Sequence, residues 1–223
     1  MTQPLDVFGD LTTECAILAK ASPELSYALE VIGKPVVRRR PGGFAGLFRI
    51  IIEQQVSVPS AQAILKRIKI ALDMNDTGEV MSLGVEGLRG LGLSRPKAHY
   101  VCGLAERIEH GELDLTRLPQ FDDAKASLEL QTIKGVGPWT AAIYLLFCEG
   151  RGDIWPPSDV ALKGAFNRAR ADHASWSGKT THRGKSLTQK ELDAMARSWT
   201  PLRGVAAHIL WTYYAHMRNR API

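Results

Sequence analysis

Apolar residues recur at intervals of three and four along most of the chain. The stripes Leu25, Ala28, Leu29, Ile32; Phe44, Leu47, Phe48, Ile51, Ile52; Ala61, Ile64, Leu65, Ile68, Leu72; and Ala98, Val101, Leu104, Ala105, Ile108 each line one face of a helix. Alternation at period two, the mark of a half-buried strand, is nearly absent, so the pattern predicts an all-α fold. Helix starts are also written locally. Ser94 with Pro96 opens one helix, Thr188 and Glu191 have the spacing of a capping box, and Thr200 with Pro201 opens the last long helix. Spacing through Phe121, Ala124 and Leu128 predicts another helix over residues 121–130.

Two stretches break the period. Between Asp172 and Ser186 the residues are small, polar or basic, which predicts an exposed basic loop. Arg38-Arg39-Arg40-Pro41-Gly42-Gly43 reads as a connector between an N-terminal helical segment and the first long core helix. No internal repeat or low-complexity tract is present.

The segment after the helix of residues 121–130 is the most informative. Gly135 and Gly137 permit backbone conformations closed to other residues, and Pro138 suits the first turn of a new helix, so residues 131–141 form a hairpin between two helices. Main-chain amides near Gly135, Gly137 and Thr140, with Lys134 beside them, would meet at a helix N-terminus, where an anion is favoured. A DNA phosphate is the natural ligand, and such a grip positions backbone without reading bases. A Gly-Val-Gly sequence equally describes a plain turn between helices. Downstream, Asp159 follows Pro156-Pro157-Ser158 and precedes an apolar run, which is ordinary helix-capping chemistry.

Composition sharpens this picture. With 223 residues, 45% of them hydrophobic, the chain can bury the core of one globular unit with two lobes. Residues 163–220 hold eleven Lys and Arg against three Asp and Glu, a local balance of +8 that leaves −3 elsewhere in a total of +5. That asymmetry favours a polyanionic partner. Cys15, Cys102 and Cys148 show neither a paired nor a zinc-binding spacing, so a reduced intracellular setting without disulfides is expected. No stretch approaches the roughly 20 apolar residues of a membrane span, and no export signal opens the chain. The six histidines lack metal-ligand spacing, and His208 reads as a packed or capping residue of the last helix.

Taken in order, Phe44-x-x-Leu47-x-x-Ile50 running into Gln54-Gln55-Val56-Ser57, then Leu88-x-x-Leu91-Gly92-Leu93-Ser94-x-x-Lys97-Ala98, the hairpin, Pro156-Pro157-Ser158-Asp159, and Trp199-x-Pro201-x-Arg203-x-x-Ala206-Ala207-x-x-Leu210-Trp211 carry a resemblance. The chain resembles the helix-hairpin-helix DNA glycosylases over roughly residues 40–218, most closely the 3-methyladenine DNA glycosylase II branch of alkylation repair. The resemblance implies a two-lobed fold with the active-site cleft between lobes. The central lobe would be residues 41–149, and residues 1–40 with 150–223 the terminal lobe. It also implies a compact form without the β-rich N-terminal domain of the best-known relatives.

The same resemblance assigns roles. Asp159 would be the catalytic carboxylate that assists cleavage of the bond between base and sugar. Because the target base must leave the duplex stack, Gln55 would be the wedge that fills the gap, and Trp139, Trp155 and Phe48 would line the lesion pocket with π-faces suited to cationic bases. A surface glutamine, and core packing for Phe48 and Trp155, are the plainer readings. Gly135, Gly137, Thr140 and Lys134 would hold the backbone, and main-chain carbonyls of Gln131, Ile133 and Val136 would bind a sodium or potassium ion. Ile143, Val160 and Leu202 stand where some members carry aromatics, which implies a plainer pocket. Relatives that also cut the strand use a lysine at the position of Trp139, so a monofunctional enzyme without lyase activity is expected. The family's iron–sulfur cysteines have no counterpart, so no cluster and no required cofactor are expected.

The expectation is thus a monomeric hydrolase that excises alkylated purines, of the 3-methyladenine and 7-methylguanine type, from double-stranded DNA. It would work inside the cell, in cytoplasm or nucleoid if bacterial and in the nucleus if eukaryotic. A glycosylase for oxidised or deaminated bases, or a non-catalytic helix-hairpin-helix damage-binding protein, are the alternatives.

Overall fold

The structure, a computed structural model, describes residues 11–37, 39–176 and 186–219. Among these residues the regular elements are all helical. None of the helices is long and apolar enough to cross a membrane. The chain divides into two compact units, one of residues 1–39 with 150–223 and one of residues 40–149.

The unit of residues 40–149 is built around α3 (Gly43–Glu53). Its Phe44, Leu47, Phe48, Ile50, Ile51 and Ile52 are all buried, and full burial of each such side chain contributes roughly 1.5–3 kcal/mol. Helix α4 (Val58–Ala71) follows, with the Ser57 hydroxyl accepting from the Ser60 amide and Pro59 in its first turn. Helix α5 (Thr77–Gly90), capped by Asp76, is broken by Gly84 at φ 63° and lies along α6 (Arg95–Glu109). A 3₁₀ turn over Leu115–Gln120 leads to α7 (Asp123–Gln131) and α8 (Pro138–Tyr144), which continues as one π turn, Leu145–Glu149.

Helix α3 packs on α4, α6 and α8. A Cβ at Gly46 would stand 2.6 Å from the Pro41 carbonyl oxygen, so this close approach requires glycine. The buried Tyr144 hydroxyl accepts from the Gly43 amide at 2.8 Å, and burial pushes its ionisation well above the usual phenol range.

The other unit contains α1 (Thr12–Ala21), α2 (Pro23–Ile32), α9 (Val160–Trp176), α10 (Gln189–Met195) and α11 (Arg203–Met217). Helix α11 is its centre: residues Gly204–Tyr213 are buried without interruption, and α1, α2 and α9 pack around it. A helix apolar on every side is stable only in such a position. The Ser22 hydroxyl caps α2 by accepting from the Leu25 amide at 3.3 Å.

Several local expectations hold and others need correction. Ser94 and Pro96 do open α6, and Thr188 with Glu191 forms a complete capping box on α10. The stripe Phe121, Ala124, Leu128 does not face the core: Leu128 is exposed, while Ala126 and Leu130 are buried. Phe121 lies before the helix, which Asp122 caps, and the face packed on the core is the one that carries Ala126 and Leu130, four residues apart. Thr200 and Pro201 precede the last helix, which begins at Arg203 after a cis Thr200–Pro201 peptide. The basic segment after Asp172 is still helical through Trp176, because α9 runs on, and residues 177–185 lie outside the described residues, as does Arg38.

His208 lies at the centre of the α11 core, and burial pushes its imidazole down to about 4. In the unfolded chain it titrates near the ordinary 6.5, so the unfolded state binds the proton more readily. The stability conferred by a neutral His208 is complete above pH 6.5 and lost as pH falls toward 4. Between pH 7.5 and 4.5 this amounts to about 2–3 kcal/mol. Urea unfolding of wild type and His208→Leu at both pH values is expected to show a smaller acid loss in the variant. Equal losses would refute the assignment.

Candidate functional site

In the unit of residues 40–149, two turns are joined. Helix α7 ends at Gln131, and the Ile133 amide donates to the Leu130 carbonyl and the Val136 amide to that of Ile133. Gly135 sits at φ 90°, Gly137 is the N-cap of α8, and Pro138 fills the first helical position. The hairpin predicted over residues 131–141 is therefore present as a turn between two helices. Ile133 and Val136 are buried and anchor it, whereas Lys134, Gly137 and Trp139 are exposed.

Supports reach the hairpin from below. The Tyr100 ring lies directly beneath Gly135, where an added Cβ would meet its Cδ2 at 2.3 Å. Arg107 donates through Nη1 to the Thr132 carbonyl at 2.9 Å. Gln54 donates its amide to the Gly135 carbonyl at 3.1 Å and to Thr140 Oγ1 at 3.0 Å. Thr140 is thus buried, its hydroxyl oxygen accepting from Gln54.

Gln54 also begins the turn that carries Gln55, at the end of α3. Gln55 is exposed and held at φ 52°, a left-handed conformation that costs a side-chain-bearing residue of order 1 kcal/mol. Lys97 on α6 stabilises this turn by donating to the Ile52 carbonyl at 2.8 Å and to that of Gln54. These are end-of-helix carbonyls without intrahelical partners. Burial holds the Lys97 ammonium below the usual lysine range. The next residues, Val56 and Val58, expose apolar surface.

Trp139, on α8, is 38% exposed and can offer a ring face. Phe48 cannot. Its side chain is fully buried, 5.8 Å from Phe44 between ring centroids, so the pocket role expected for it is corrected to core packing. The α3 stripe that made Phe48 conspicuous in the sequence is the reason it faces inward.

In the other unit, Asp159 precedes α9. Its Oδ1 accepts from the Ala161 and Leu162 amides, each at 2.9 Å, so the capping reading is correct in full. The residue is 7% exposed. A cap of this kind fixes the carboxylate's direction and sets it at the positive end of the helix dipole. Ser158 just before it has φ 60°.

Trp155, four residues upstream of Asp159, is half-buried. Its ring meets Trp199 edge-on at 5.5 Å, and its Nε1–H donates to Asp193 Oδ1 at 2.9 Å. The loop leading to Trp155 is fixed by Arg203, which donates through Nε to Asp153 Oδ1 at 2.8 Å and through Nη2 to Oδ2 at 3.0 Å. Bidentate pairing of this kind is among the stronger polar contacts.

Sequence reasoning assigned no role to Gln54, Arg107 or Asp193. Gln54 and Lys97 stood inside recognised motifs, but only the contact geometry reveals what they hold. Chemically, the first unit offers main-chain donors, an exposed indole and a strained glutamine turn. The second offers a carboxylate, Asp159, fixed at a helix start, and a half-buried tryptophan, Trp155, held by Asp193.

Comparison with known proteins identifies the family. Residues 48–190, more than half of the chain, match the model of the HhH-GPD superfamily of base excision DNA repair proteins. YfjP of Bacillus subtilis, provisionally named a DNA-3-methyladenine glycosylase, is 28% identical over 173 residues. That alignment takes in 74% of this chain but only 56% of the relative, a little over half its length. The structure of a DNA-3-methyladenine glycosidase from Bacillus halodurans superposes with TM-score 0.67 at 26% identity, covering 89% of this chain and 92% of that one. An 8-oxoguanine glycosylase/lyase of Clostridium acetobutylicum, solved with double-stranded DNA, gives TM-score 0.75 at 20% identity. It covers 96% of this chain and 73% of that one, and at such identity the likeness speaks for the fold alone. The chain belongs to the HhH-GPD superfamily of base excision DNA repair proteins.

Proposed function

We propose that the protein is a monofunctional DNA glycosylase that hydrolyses the N-glycosidic bond of alkylated purines in duplex DNA. The observation that carries this reading is Asp159, a nearly buried carboxylate whose direction is fixed by two amide hydrogen bonds. N-alkylated purines are cationic, so the base leaves with the bonding electron pair and becomes neutral. The sugar is left oxocarbenium-like, and an adjacent carboxylate stabilises that charge and orients the attacking water. The water's oxygen bonds to the sugar carbon and its proton passes to Asp159 or solvent. No cofactor is needed for this chemistry.

The other residues supply binding. The amides of Gly135, Gly137 and Thr140 with Lys134 hold a phosphate, Gln55 enters the stack in place of the extruded nucleotide, and Trp139 in the one unit and Trp155 in the other, each taken by itself, carry aromatic rings of the kind that favours a cationic base. Main-chain carbonyls of Gln131, Ile133 and Val136 suit a sodium or potassium ion. The Ile133 oxygen already accepts from the Val136 amide but keeps a second lone pair. Trp139 occupies the position where strand-cutting relatives carry their lysine, so the reaction ends at the abasic site. The enzyme acts as a monomer within the cell.

The names of the more similar relatives support alkylated bases over oxidised ones. The test is incubation of the protein with duplexes carrying 7-methylguanine, 3-methyladenine, 8-oxoguanine or hypoxanthine, with released bases identified by mass. Release of the methylpurines with the strand left intact is the expected result. Release of 8-oxoguanine or hypoxanthine alone would transfer the reading to those lesions. Salt-sensitive binding without any release would replace it with a damage-binding role.

A further inference from the structure

The segment that leads into Asp159 is clasped from two sides. On one, Arg203 pairs with Asp153. On the other, Asp193 of α10 gathers three donors. Its Oδ1 accepts from Trp155 Nε1 at 2.9 Å and from Gln189 Nε2 at 3.0 Å, while its Oδ2 accepts from the Ser158 main-chain N–H at 3.2 Å. Ser158 lies at φ 60°, a conformation that a side-chain-bearing residue keeps only when its surroundings enforce it. The residue whose orientation depends on that turn is Asp159.

Asp193 is itself anchored. The Asn167 amide donates to the Leu187 carbonyl at 3.0 Å and the Leu187 N–H donates back to Asn167 Oδ1 at 2.7 Å. The capping box of Thr188 and Glu191 then starts α10. Contacts therefore form a closed ring, from Asp159 at the start of α9, through Ser158 to Asp193, along α10, and back to α9 at Asn167. Trp155 is held within this ring by its indole N–H and by the edge of Trp199, which is 3% exposed.

We propose that Asp193 is a positioning residue for base release, one carboxylate that fixes the Trp155 ring and the Ser158–Asp159 turn together. The inference rests on the reading of Asp159 as the catalytic carboxylate and goes beyond it. A carboxylate suits the task because Trp155 and Ser158 approach different oxygens. An amide at the same place has one acceptor oxygen in place of two, so it leaves either Ser158 on one side or Trp155 and Gln189 on the other without an acceptor.

The experiment uses the full chain as wild type, Asp193→Asn, Asp193→Ala, Trp155→Phe, and the double variant Trp155→Phe with Asp193→Asn. Single-turnover release of 7-methylguanine is measured beside the Kd for a duplex containing a tetrahydrofuran abasic analogue. Asp193→Asn is expected to slow release about tenfold and Asp193→Ala about a hundredfold, since small misplacements of reacting groups have effects of this size. The Kd is expected to change by less than about threefold in either variant. In the Trp155→Phe background the fixed indole donor is gone and only the Gln189 side-chain amide, which can turn its own oxygen toward the substituted nitrogen, remains opposite Ser158. The acceptor oxygen that Asp193→Asn retains then serves Ser158, and the added loss shrinks to within about threefold. The Trp155 indole proton resonance, assigned by its absence in Trp155→Phe, is expected to move upfield in Asp193→Ala.

A release rate for Asp193→Asn within about twofold of an active wild type would overturn the proposal, as would strictly multiplicative effects in the double variant. An unmoved indole resonance would overturn it at the level of structure. Absence of release by the wild type from every lesion would instead overturn the glycosylase reading on which it depends.

Discussion

Asp159→Asn is expected to lower single-turnover base release by at least about a hundredfold, the usual scale for removing an electrostatic stabiliser of a transition state. The variant isolates charge from structure. Asn is as good an N-cap as Asp, and its side-chain oxygen can still accept from the Ala161 and Leu162 amides. The interaction of the negative charge with the helix dipole is lost, about 0.5 kcal/mol. Asp159→Ala removes the cap as well, at a cost of about 1 kcal/mol in stability. Base release and melting temperature, measured for both variants, therefore separate the two roles. Equal loss of activity in both, with a stability loss concentrated in Asp159→Ala, is the expected pattern. Near-normal release by Asp159→Asn would leave Asp159 with a capping role only.

The second large effect is expected at Gly135→Ala. At φ 90° the backbone excludes a side chain on conformational grounds, and the added Cβ would also stand 2.3 Å from Tyr100 Cδ2 and 2.5 Å from Cγ. Those atoms are near the root of the ring, so a small rotation does not clear them. Backbone strain and overpacking together are expected to destabilise the fold by about 2–4 kcal/mol. Any folded population would carry a distorted hairpin and bind duplex DNA about tenfold more weakly at low salt, with a shallower salt dependence.

Gly137→Ala is the control. Gly137 has φ −94° and no atom within 4 Å of its would-be Cβ, so this variant should lose less than about 1 kcal/mol. Denaturant unfolding and binding titrations on both variants decide the matter. Tyr100→Ala added to Gly135→Ala should relieve the clash but not the strain, recovering part of the loss. Equal tolerance of alanine at positions 135 and 137 would sink this account of the hairpin.

The helices were legible where periodicity and capping residues agreed. Helix α3 is an example, since its stripe is continuous and it stops at Glu53. Helix α5 is the opposite case. It contains Gly78, Gly84, Gly87 and Gly90, which dilute any stripe, and Gly84 breaks the helix outright. The stripe of residues 121–130 misleads for another reason. Its apolar spacing points Leu128 inward, but Phe121 lies outside the helix that Asp122 caps, and the face packed on the core is that of Ala126 and Leu130, with Leu128 outside.

Within the candidate site, the sequence by itself determined which chemistry the chain could carry. The glycine positions of the hairpin, the capping aspartate after Pro156-Pro157-Ser158 and the tryptophans are set by local backbone rules and side-chain type, both of which are read directly from residue order. Only the tertiary structure decided which groups are held and which are hidden. Phe48 was withdrawn into the core, Gln54 was placed under both the hairpin and the Gln55 turn, and Asp193 was brought to Trp155 across 38 positions of sequence. Such contacts join residues remote in the chain through packing of whole helices, and packing depends on the summed shape of many side chains rather than on any local pattern.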